Sequence, residues 1–129
     1  MAICLMVKRS LTKNLIWLLF VAGINTAIAA RVLSKDEYQN LFMASFTYMA
    51  TVKACEISSL YALSDDTVNR VIKYGYTHSL HDEQTQRISQ NVSFYTSKSI
   101  EAYQRAPKIS CADAASTMRT IAYSAQQFN

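Results

Sequence analysis

Beyond residue 33 the chain places apolar residues at steps of three and four, and very little interrupts that period. Four start signals divide the stretch: Ser34-Lys35-Asp36-Glu37, Ser64-Asp65-Asp66-Thr67, Ser79-Leu80-His81-Asp82 and Ser110-Cys111-Ala112-Asp113. Each offers a side-chain oxygen to the orphan amides of a first turn and sets carboxylates where the helix dipole favours negative charge. They predict helices near 35–56, 65–78, 81–105 and 111–126. Pro107 stops the third, because the residue before a proline is pushed out of helical torsions.

The stripes agree with these boundaries. In the first helix Tyr38, Leu41, Ser45, Tyr48, Val52 and Cys55 share one line, and Phe42, Phe46 and Met49 form a second beside it. That helix is apolar over about half its circumference, wider than the roughly 100° of an ordinary surface helix. The second offers Val68, Val71, Ile72 and Gly75; the third Ile88, Val92, Tyr95, Ala102 and Tyr103, with Phe94 and Ile100 pointing elsewhere. The fourth is narrow, built on Cys111, Ala114 or Ala115, Met118, Ile121 or Ala122, and Ala125. With only 2 glycines and 1 proline in the chain, hairpin punctuation is missing. The expectation is an all-α single domain over residues 30–129, folded as a four-helix bundle.

Residues 1–29 read differently. Lys8, Arg9 and Lys13 precede an apolar run from Leu15 to Ala22, and Ala27 and Ala29 then match the A-x-A pattern of a signal-peptidase site. The run, followed by Asn25 and Thr26, is too short for a permanent bilayer span. We expect an exported chain, cut between Ala29 and Ala30; Met6 is an alternative start, since Met6-Val7-Lys8-Arg9 is itself an ordinary signal opening. Of the 13 Lys+Arg, Lys8, Arg9 and Lys13 leave with the leader, so ten face 9 Asp+Glu. A nearly neutral domain lacks the basic face that phosphate recognition needs, which argues against nucleic acid as a partner.

Cysteine usage follows from that address. Cys4 lies in the leader, leaving Cys55 and Cys111 in a compartment where thiols are oxidised, and they are expected to pair. Closing so long a loop restricts the denatured chain by about 4 kcal/mol in the chain-entropy account. No C-x-x-C spacing suggests a redox pair.

Little in the sequence points to catalysis. His78 and His81 stand beside Asp82 and Glu83, but at a predicted helix junction and with no thiolate free to join them, so a solvated turn is expected rather than a metal site. The acidic pairs Asp36–Glu37, Asp65–Asp66 and Asp82–Glu83 all fall in first turns, where capping accounts for them. Asn91-Val92-Ser93 matches a glycosylation sequon, inside a predicted helix. No enzyme, cofactor or metal is expected.

The aromatic residues are the remaining oddity. All 8 tyrosines lie beyond the leader, and tyrosine suits surfaces half buried against a partner. The sequence also resembles a family. Leu33-Ser34-Lys35-Asp36-Glu37 opening a long apolar helix, Cys55 at its end, Val68-Asn69-Arg70-Val71-Ile72-Lys73-Tyr74-Gly75 in the next, and Cys111 beginning a last helix through Met118 to Ile121-Ala122-Tyr123 are similar to the PulS/OutS pilotins of bacterial type II secretion. The resemblance spans the chain beyond the leader, on loose motifs. It implies a disulfide-linked four-helix bundle in the periplasm that holds a C-terminal segment of a secretin as a helix in a groove and assists outer-membrane assembly of the pore.

One departure matters. Pilotins of that family carry an acylated cysteine directly after the cut, whereas residues 25–31 hold none, so no direct lipid anchor is expected. The excess apolar arc of the first helix places the partner groove on Phe42, Phe46 and Met49, with Val71, Ile72 or Tyr74 from the next helix. Two other functions fit a small exported helical chain: an immunity protein using the connection Ile57 to Asp66, or an acid-stress chaperone.

Overall fold

The computed structural model describes residues 31–128; the leader expected at residues 1–29 and its expected cleavage site lie outside them. Five helices follow one another: α1 Lys35–Ala54, α2 Tyr61–Thr77, α3 Glu83–Gln90, α4 Val92–Arg105 and α5 Cys111–Ala125, with a 3₁₀ turn Ser58–Leu60 before α2. The domain is all-α, with no strand among the described residues.

The first and last starts fall where the caps predict. Glu37 N–H donates to Ser34 Oγ at 3.1 Å and Ser34 N–H to Glu37 Oε1 at 2.8 Å, a reciprocal capping box opening α1. Ser110 Oγ accepts from Asp113 N–H at 3.0 Å at the start of α5. The two middle starts differ. Ser64 lies inside α2, fully buried, its hydroxyl donating to the Tyr61 carbonyl at 3.0 Å. Asp65 reaches Lys53 at 2.9 Å and Asp66 reaches Arg70 at 2.8 Å, so these acids serve ion pairs instead of a cap. Ser79 is not a cap either. Asp82 opens α3, accepting Thr85 N–H at 2.8 Å while its own N–H donates to Thr85 Oγ1 at 3.0 Å.

The helix expected over 81–105 is two. Asn91, at φ −142° and ψ 51°, leaves helical torsions between α3 and α4. Asparagine competes for its own backbone and gives a helix little support, which explains why the break falls there. Asn91 of the Asn91-Val92-Ser93 sequon therefore sits exposed at the junction, while Val92 and Ser93 open α4.

Two further boundaries carry no glycine or proline. Glu56 (φ 56°) and Ser79 (φ 54°) hold left-handed torsions just past the ends of α1 and α2. Ile57 N–H returns to the Val52 carbonyl at 3.1 Å, and Leu80 N–H to the Gly75 carbonyl at 2.9 Å. Both are six-to-one closures that satisfy terminal carbonyls, here made by residues that bear a Cβ penalty.

α1 is the axis of the domain, with α2, α4 and α5 packed around it and α2 also against α5. Tyr38, Leu41, Phe42, Phe46, Met49 and Val52 of α1 are all 4% exposed or less. The broad apolar arc is thus covered by three neighbours of the same chain. Cys55, capping α1, is bonded to Cys111, the first residue of α5, with Cα atoms 5.8 Å apart. This joins two elements 56 residues apart at one corner.

Candidate partner-binding cleft

An aromatic cluster occupies the α1–α2 contact. The Tyr38 hydroxyl donates to the Val71 carbonyl at 2.7 Å, and burial pushes its ionisation above the ordinary tyrosine range. Burial also raises Tyr48. Tyr74 stacks on Phe128 with centroids 4.4 Å apart and receives Leu33 N–H on its hydroxyl at 3.1 Å, so one side chain ties down both flanks of the domain.

His81 belongs to this cluster and not to a solvated turn. Its ring meets Tyr38 and Phe42 edge-on, with centroids 5.3 and 5.9 Å away. Nε2 lies 3.2 Å from the Ile72 carbonyl, which can only accept, so the ring hydrogen belongs on Nε2. Nδ1 lies 3.0 Å from Thr85 Oγ1. Burial beside Tyr38 and His81 explains why Gly75 has no side chain. His78 instead lies on Tyr74, centroids 4.4 Å apart, and no group of three or more His, Cys, Asp or Glu among the described residues could hold a metal.

The residues expected along a groove fall mostly inside. Phe42, Phe46, Val71 and Tyr74 are 1%, 4%, 1% and 5% exposed, packed against this chain's own rings and aliphatic groups, and Ile72 is half-buried. Met49 is different. Although 1% exposed, it forms part of the floor of an open cleft of about 420 Å³.

That cleft exists because α4 packs along α1 and α3 but makes no substantial contact with α2 or α5. Met49, Val68 and Val92 line it together with Lys53, Asp65, Asn69, Ser93 and Ser97. Thr96, the buried residue of α4, is 8% exposed, and its hydroxyl donates to the Met49 sulfur at 3.9 Å, a weak acceptor. The Lys53–Asp65 pair closes one end. The site is therefore an open cleft whose lining is more polar than apolar, with Met49, Val68 and Val92 set among Lys53, Asp65, Asn69, Ser93, Thr96 and Ser97.

The sequence missed the α4 wall. Its stripe was visible as Val92 and Tyr103, but whether a thin stripe leaves a gap depends on what stands beside it. The immunity-type connection is also reassigned: residues 58–66 form the 3₁₀ turn and the opening of α2, not a protruding loop. No described helix is long and apolar enough to cross a membrane. No protein-family profile, curated protein or solved structure matches this chain.

Proposed function

We propose that this is a non-catalytic, pilotin-like periplasmic protein whose α2–α4 cleft receives an amphipathic helical segment, the C-terminal tail of a type II secretion secretin, to assist pore assembly at the outer membrane. One observation carries the reading: an open, helix-lined cleft in which Met49, Val68 and Val92 sit among a larger set of polar side chains. Helix-in-groove recognition requires that combination, anchors for one apolar face and partners for the polar edges beside it. The leader expected at residues 1–29 supports the compartment, and the pairing of Cys55 with Cys111 suits an oxidising one. In this reading the partner itself carries the protein to the outer membrane.

The test is a titration of labelled secretin tail peptide against the exported protein, whose N-terminal sequence should begin near Ala30 with no acyl group. Ser93→Trp and Ser97→Trp place bulk on exposed rim positions, and are expected to leave the melt intact while weakening binding at least tenfold. Phe42→Ala and Phe46→Ala are expected to lower stability by about 3–5 kcal/mol as core truncations. A wild-type chain that binds no secretin tail overturns the reading; so does a peptide that binds both tryptophan variants unchanged.

A further inference from the structure

We propose that the α2–α4 cleft selects a basic side chain, arginine above all, on the helical segment it receives, with Asp65 holding the cationic head. The inference rests on the binding role given above to that cleft and adds the chemistry by which it chooses a partner.

The cleft is short. Met49 and Lys53 of α1, Asp65 and Asn69 of α2, and Ser93 and Ser97 of α4 are pairs four residues apart. Four residues rise about 6 Å, so each wall is little more than one turn long. A site of that length reads one or two side chains of a partner helix, and the chemistry of those side chains decides what binds.

Two polar groups in the lining are committed to accepting. Lys53 Nζ pairs with Asp65 Oδ1 at 2.9 Å, which leaves Oδ2 for a second donor, and the Asp65 side chain is 51% exposed against 28% for Lys53. An ionised carboxylate has no hydrogen to give. Thr96 is nine-tenths buried and its hydroxyl hydrogen is turned to the Met49 sulfur, so its oxygen keeps lone pairs with which to accept. A hydroxyl this deep with only a sulfur as its partner is poorly satisfied by its own chain. Asn69, Ser93 and Ser97 are exposed residues of the lining whose side chains donate or accept as the occupant requires.

A guanidinium answers this set. Its five N–H donors form a planar fork able to meet a carboxylate oxygen and a hydroxyl oxygen together. Its apolar stem suits Met49, Val68 and Val92, the apolar members of the lining. An incoming carboxylate would instead meet a like charge in Asp65, the more exposed member of the pair. The repulsion that Lys53 offers a cation is offset by its pairing with that same carboxylate.

The sign of two substitutions decides the matter, read by titrating labelled secretin tail peptide against the full exported protein. Asp65→Asn should weaken binding about tenfold, the loss of one charge-assisted hydrogen bond. Lys53→Gln should tighten it about three-fold, because it frees the carboxylate and removes a like charge. The pair is partly exposed, so both melts should stay near that of wild type. Thr96→Val keeps the shape and removes the accepting oxygen, and should weaken binding about five-fold. Reversed signs for Asp65→Asn and Lys53→Gln, or no change in either, would overturn the proposal.

A second probe separates this inference from the functional reading. An amphipathic helical peptide carrying one arginine is compared by NMR titration with its glutamine and glutamate twins. Preference for arginine that disappears in Asp65→Asn upholds the site even where the secretin tail does not bind, in which case the functional reading alone fails. Equal binding of the three peptides, preference for glutamate, or no binding of any overturns the selectivity, and tail binding then stands or falls by itself.

Discussion

Gly75 faces Tyr38 so closely that a methyl group on it would overlap the tyrosine Cζ and hydroxyl and approach His81 Nε2 to 2.7 Å. The close approach lets Tyr38 reach the Val71 carbonyl across the α1–α2 interface. In an ordinary exposed helix, replacing glycine by alanine gains about 1 kcal/mol. At Gly75 the sign reverses. Gly75→Ala should lower stability by about 1–3 kcal/mol through overpacking against a ring and a backbone-anchored imidazole. Denaturant melts check this, and Tyr38→Ala in the same chain should remove most of the penalty of the added methyl.

The disulfide should behave as a fold constraint. Cys55→Ser is expected to cost about 2–5 kcal/mol, and Cys111→Ser the same, because either opens the same loop. Matching losses of the two single variants and the double variant in urea unfolding would establish the common cause. Separate, additive losses would show that one cysteine contributes chiefly by packing.

Glu56 and Ser79 hold left-handed torsions that glycine adopts without strain. Glu56→Gly and Ser79→Gly should each stabilise the domain by about 0.5–1 kcal/mol, the relieved Cβ penalty outweighing the entropy of a looser unfolded chain. The readout is a rise in melting temperature of a few degrees. A fall in either variant would mean the present side chain supplies a contact that the torsion argument omits.

Acid should loosen the start of α1. Arg31 grips the Glu37 carboxylate with two bonds of 2.7 and 2.8 Å and Ser34 N–H adds a third, holding its pKa at about 2 against an ordinary 4.5. A carboxyl lowered on folding stabilises the native state above its unfolded pKa and loses that contribution as the proton returns. The stability gap between wild type and Glu37→Gln should therefore be present at neutral pH and close between about 4.5 and 2. Because Arg31 is 48% exposed, added salt should shrink the gap as well. Asp82, lowered by Thr85 N–H at the start of α3, should contribute in the same direction.

How much of this was legible in the chain follows from the range of each cause. Ser34 with Glu37, and Ser110 with Asp113, act within one turn, so their caps could be read directly. The pairing of Cys55 with Cys111 needed only a count of cysteines beyond the expected leader. Helical period likewise identified the all-α class. The starts at Ser64 and Ser79 were misread because the same residue types serve equally as caps, ion-pair partners and left-handed closures, and a local pattern does not choose among them. Lys53 and Thr85, neither part of those patterns, made the choice.

The candidate site shows the same division more sharply. Sequence determined that α1 carries apolar residues over about half its surface, because that depends on composition and a fixed period. Tertiary structure decided what covers them. α2, α4 and α5 enclose Phe42 and Phe46, while Asn91 ends α3 and lets α4 stand apart from α2, leaving Met49 beneath an open cleft. Periodicity states which face of a helix avoids water; whether that face meets its own chain or a gap depends on where elements distant in sequence come to rest, a sum of packing terms that no single helix contains.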